Sequence, residues 1–139
     1  MSKLKRIVAA VMAAATVSAL SVSAFAEYSH PPFDFDIKGS GYSFSTSAVK
    51  EDNQDYAMAR CKEGNLTDTR YIQLSVYKNA IHSNSYCISS KTTAYSAGQD
   101  ADNYQINYKS GSVPSKDSTV YLCGETGQYS AKVSGKWDP

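Results

Sequence analysis

The run Thr69-Arg70-Tyr71-Ile72-Gln73-Leu74-Ser75-Val76-Tyr77-Lys78 decides the fold class. In an extended chain Ile72, Leu74 and Val76 share one face, while Tyr71, Gln73, Ser75 and Tyr77 share the other. Wound at the helical period, Leu74 falls on the side opposite Ile72 and Val76, so the three no longer share one face. β-Branched and aromatic side chains at a period of two are those of a half-buried strand.

The alternation repeats on both sides of this run. Phe33, Phe35 and Ile37 alternate with Asp34, Asp36 and Lys38, and Tyr42 and Phe44 continue the pattern after the turn Gly39-Ser40-Gly41. Further on, Tyr86 and Ile88, then Tyr104, Ile106 and Tyr108, then Val120 and Leu122, and last Tyr129, Ala131 and Val133 alternate with polar neighbours. The segment Gln54 to Lys62 reads as a strand whose Ala57, Ala59 and Cys61 face a close neighbour; without an amphipathic stripe, a helix is the weaker alternative. Turn-forming clusters separate the runs: Glu63-Gly64-Asn65, Asn79 to Asn84, Ala97 to Asn103, Gly111 to Asp117 and Gly124 to Gly127. Composition agrees, because residues 27–139 hold all 11 tyrosines and only three leucines, Leu66, Leu74 and Leu122. The expectation is an all-β, antiparallel β-sandwich of seven or eight strands, with a core of few aliphatic residues supplemented by tyrosine rings.

Residues 1–26 read differently. Lys3, Lys5 and Arg6 form a positive start, Ile7 to Leu20 is an uncharged apolar run, and Ala24-Phe25-Ala26 offers small residues at a peptidase site. These are the parts of an export signal, helical while it lasts and cut after Ala26. Ser18, Ser21 and Ser23 dilute the end of the run and argue against a permanent membrane anchor. The expected organisation is a signal over 1–26 and a single secreted β domain over 27–139, without a stable transmembrane segment. The signal takes three of the 14 basic residues, leaving 11 against 13 acids, so the formal charge of +1 becomes −2 in the mature chain. A faintly acidic domain lacks the clustered cations that a nucleic-acid backbone demands, so no nucleic-acid partner is expected.

Cys61, Cys87 and Cys123 all lie beyond the signal. In an oxidising compartment two of the three form a disulfide, and the three pairings stay open at this level. One bridge closing such a loop stabilises by about 3–4 kcal/mol on the chain-entropy model. The cysteines show no C-x-x-C spacing and the histidines stand at positions 30 and 82, so no metal site is expected. His30, before Pro31-Pro32, belongs to an extended lead-in, and His82 lies in a polar turn.

Motifs of catalysis and cofactor binding are likewise missing. Ser40 and Ser110 beside glycines do not form a G-x-S-x-G elbow. Asp34 and Asp36 share the polar face of a strand as solvated residues, and Asp100-Ala101-Asp102-Asn103 lacks the glycine and distant Glu of a calcium loop. No phosphate-cradling glycine loop occurs. No catalytic residue and no cofactor are therefore expected, and the chain does not read as an enzyme; a small extracellular hydrolase is the third and weakest class. The feature that suits recognition is the tyrosine face of the opening run. Tyr71, Gln73 and Tyr77 are its candidate binding residues, because rings beside small polar side chains supply contact area at low entropic cost. The stronger expectation is that a second sheet or a loop covers those rings as part of the core.

The mature stretch resembles small exported proteins of unknown function from Gram-positive bacteria. Phe33-Asp34-Phe35 matches their opening strand, and Val133-Ser134-Gly135-Lys136-Trp137-Asp138-Pro139 matches their V-x-G-x-W-x-P ending. The resemblance implies secretion and brings no catalytic residues. The chain is also similar to lactococcin-type bacteriocins in being small, exported and β-rich. The expected function is a secreted, non-enzymatic protein that binds an extracellular or cell-surface ligand; a secreted bacteriocin or toxin-like protein is the alternative.

Overall fold

The computed structural model describes residues 30–98 and 101–139, and all its regular structure is β. The segment 1–26 expected to be an export signal, and Asp100, lie outside the described residues. Among the described residues nine strands run in chain order: β1 Pro32–Ile37, β2 Gly41–Phe44, β3 Ala48–Val49, β4 Tyr56–Gly64, β5 Ile72–Tyr77, β6 Thr92–Ala94, β7 Asn103–Asn107, β8 Thr119–Thr126 and β9 Ala131–Asp138. They form two antiparallel sheets, one ordered β1-β9-β4-β7 and the other β2-β8-β5-β6, with β3 also paired to β8. The expected sandwich is thus present. The count exceeds seven or eight because short β3 and β6 carry too little alternation to read, while the stretch around Tyr86 makes only isolated bridges, Tyr77↔Cys87 and Ser89↔Tyr108.

Burial follows the pleat. Phe33, Phe35 and Ile37 face inward from β1, and Ile72, Leu74 and Val76 face inward from β5. The ambiguous segment 54–62 is strand β4. Ala59 stands in register between Tyr104 of β7 and Trp137 of β9, so its methyl group leaves room for two large rings in one layer. Phe33 and Phe35 stack with centroids 4.9 Å apart, and Gly124 of the opposite sheet accepts the Phe35 ring where any Cβ would collide.

The chain passes between sheets at Gly39, whose φ of +60° suits glycine. The Thr126 hydroxyl donates to the Gly39 carbonyl at 2.6 Å, and the Gly39 N–H donates to Ser130 Oγ at 3.0 Å. This crossing changes the sense of the next strand. Tyr42 and Phe44 do not extend the buried face of β1; they project from the outer side of the five-stranded sheet, and Tyr42 is 54% exposed.

Lys50 is fully buried at one end of the sandwich. Its ammonium donates to Asp52 Oδ1 at 3.0 Å and to the Pro139 carbonyl at 3.1 Å, and lies 5.0 Å from the Tyr108 ring centroid. A buried lysine survives only with such partners.

The expected disulfide is corrected, for all three cysteines are free thiols. Cys61 of β4 faces the core, whereas Cys123 of β8 stands opposite Ser75 and so faces outward. Cys87 pairs with Tyr77 on the far side of β5 from β8. Two strand spacings therefore separate Cys87 from Cys123, about 10 Å, where a disulfide needs Cα atoms within about 7 Å.

Candidate functional site

The outer face of the five-stranded sheet gathers the side chains best suited to recognition. Register places Tyr42 of β2, Glu125 of β8, Gln73 of β5 and Thr93 of β6 in one cross-strand row. The next row runs Phe44, Cys123 and Ser75, and beyond it lie Tyr121 and Tyr77. The connection from β5 to β6 folds back beside these rows and brings His82 and Lys91 to Glu125.

His82 lies flat on Tyr42, with ring centroids 4.1 Å apart and planes 10° apart, and its ring centroid is 5.9 Å from that of Tyr77. Contacts of this kind add about 0.5–1.5 kcal/mol beyond the area they bury. His82 Nε2 is 3.4 Å from Glu125 Oε2, and Lys91 Nζ donates to the same oxygen at 2.7 Å. An ionised carboxylate only accepts, so Nε2 carries the proton of that contact. Burial alone raises the Glu125 carboxyl, but the bonds and charges of Lys91 and His82 outweigh it and hold the group below the usual carboxylate range. The result is an open aromatic stack beside a fixed negative charge, at a cleft of about 270 Å³ lined by Ser40, Gly41, Tyr42, His82, Glu125 and Thr126.

Beneath the cleft the face is closed. Tyr77 is 2% exposed and meets Phe44 edge-on at 5.2 Å. Burial, reinforced by the nearby Cys87 and Cys123 thiols, raises the Tyr77 hydroxyl. Burial likewise pushes the Cys61 and Cys123 thiols up to about 12, so both stay protonated and are poor nucleophiles at neutral pH. Among the described residues, no group of three or more His, Cys, Asp or Glu side chains converges on a common point.

The three residues singled out in the sequence are divided by this arrangement. Tyr71 is 39% exposed, packs edge-on against Tyr129 at 5.8 Å and gives its backbone N–H to the Tyr129 hydroxyl. Gln73 is half-buried beside Glu125. Tyr77 is not a surface residue: it is buried, with His82 and Cys87 of the segment after β5 beside it, whereas Tyr71 keeps part of its ring exposed. Sequence reasoning missed Tyr42, His82, Glu125 and Lys91. Tyr42 passes as core at period two, and nothing in the spacing ties His82 to a tyrosine 40 positions earlier. No family model, no curated protein and no solved structure matches the chain.

Proposed function

We propose that the chain is an exported, non-enzymatic protein that binds an extracellular or cell-surface ligand through the outer face of its five-stranded sheet. The observation that carries this reading is the Tyr42–His82 stack, open to solvent beside an ionised Glu125. Stacked rings give a rigid platform for a flat or ring-shaped ligand group, and a carboxylate fixed by Lys91 sets its orientation without reorganising. Gln73 and Tyr71 extend the same face. The amino-terminal signal pattern supplies the extracellular setting of the proposal. Buried, protonated thiols at Cys61 and Cys123 favour binding over thiol chemistry.

Co-sedimentation with insoluble cell walls and wall polysaccharides tests the reading. The purified protein is expected to pellet with at least one of them, and Tyr42→Ala to lower the bound fraction fivefold or more. Failure across the panel, or growth inhibition of bacteria without binding, replaces this function with the toxin-like one.

A further inference from the structure

On the opposite side of the sandwich, β4 carries an irregularity that builds a groove. Its register against β9 runs to Cys61↔Gly135, then shifts, so that Glu63 stands opposite Ser134 and Gly64 opposite Val133. Gly64, at φ +153°, approaches β9 so closely that a Cβ would lie 2.5 Å from the Lys132 carbonyl oxygen and 2.9 Å from Val133 Cα. Asn65 locks the bulge from both directions. Its N–H donates to the Lys132 carbonyl at 3.0 Å, and its Oδ1 accepts the Lys132 N–H at 2.9 Å. Bulges re-aim side chains, and this one turns Glu63 toward Asp34 across Ser134.

The groove beside it has a volume of about 460 Å³ and is lined by Asp34, Glu63, Asn65, Lys132 and Ser134 among others. Three carboxylates elsewhere are engaged: Asp36 by Lys38, with the Lys132 charge adding to it, Asp52 by Lys50, and Glu125 by Lys91 and His82. Among the described residues the side chains of Asp34, Glu63, Lys132 and Ser134 make no hydrogen bond within the protein. The groove thus presents two carboxylate acceptors, an ammonium donor, a hydroxyl of either kind, and the Asn65 amide N–H₂.

We propose that this groove is a second binding site, and that its ligand is a saccharide. Sugar hydroxyls donate and accept at once, so they use carboxylates, ammonium, amide and hydroxyl together. A divalent cation is opposed by Lys132 and deprived of Asn65 Oδ1, which the backbone already holds. A phosphate is opposed by Asp34 and Glu63. The inference is independent of the Tyr42 cleft, which lies on the other sheet.

An array of neutral and amino-sugar oligosaccharides, followed by calorimetry on the purified protein, tests it. At least one oligosaccharide is expected to bind, and Ser134→Val, which fills the groove while keeping a strand former, to weaken binding tenfold or more. Glu63→Ala, at an exposed position, gives the same loss if the valine variant does not fold. The proposal is overturned if no oligosaccharide binds, or if calcium chloride or inorganic phosphate alone gives the heat. It is equally overturned if Ser134→Val and Glu63→Ala bind like the parent while Tyr42→Ala does not, an outcome that assigns the sugar to the other face.

Discussion

Replacing Gly124 by alanine tests how the two sheets close. The new Cβ would sit 2.6 Å from Phe35 Cδ2 and 2.8 Å from Cε2, where carbon atoms prefer about 3.5–4.0 Å. The ring cannot slide away, because Phe35 is fully buried and stacked on Phe33, which itself covers Gly135. Overpacking of this kind costs about 1–3 kcal/mol. Removing a strand glycine returns about 0.5–1 kcal/mol, so Gly124→Ala should destabilise by about 1–2 kcal/mol. Phe35→Leu alone removes the outer ring carbons and should cost about 1–2 kcal/mol. Together the two changes relieve each other, since leucine vacates the space that the alanine methyl needs. Equilibrium urea unfolding of the four proteins should therefore show the double variant at least 1 kcal/mol more stable than the sum of the singles, about 4 °C in Tm. An additive result, or a Gly124→Ala protein as stable as the parent, would refute this packing.

Other consequences follow from the buried groups. Burial holds the Cys61 and Cys123 thiols at about 12, against an ordinary 9.0. The folded state therefore keeps protons that the unfolded chain loses, and stability should fall as pH rises from about 9 toward 12. Urea midpoints across that window check this, and replacing both cysteines by alanine should flatten the slope. At pH 8, an added thiol reagent should modify half-buried Cys87 first and reach Cys61 and Cys123 only on unfolding, as read by mass spectrometry. Lys50→Ala leaves Asp52 and the Pro139 carbonyl without their donor and should cost about 3 kcal/mol in denaturant unfolding, while Lys50→Met, which keeps the volume, should cost less. Lys91→Ala removes the strongest influence lowering the Glu125 carboxyl, so carbon NMR titration should find Glu125 shifted upward.

The residues that were legible are those whose environment is fixed by the pleat alone. Ile72, Leu74 and Val76, like Phe33, Phe35 and Ile37, alternate because one side of each strand meets the other sheet, and period two records that directly. Ala57 and Ala59 were harder to read. Ala59 answers to Tyr104 and Trp137 on the neighbouring strands and Ala57 to Ile106, a long-range complementarity that no local window contains. The candidate site was harder still. Tyr77 has the spacing of a surface residue but is buried by a segment that folds back over its own sheet. Tyr42 has the spacing of a core residue but is exposed, because the turn at Gly39 moves the chain between sheets. The Tyr42–His82–Glu125 cluster joins three places distant in sequence, and its chemistry exists only in the folded chain.

The proposed function places one ligand site on the outer face of the five-stranded sheet, around Tyr42 and His82. Amide chemical-shift mapping with solubilised cell-wall fragments tests it most directly. Perturbations centred on Tyr42, Gln73, His82, Lys91 and Glu125 are expected, and they should be lost in the Tyr42→Ala variant. Absence of perturbation there, or an unchanged response from that variant, would contradict it.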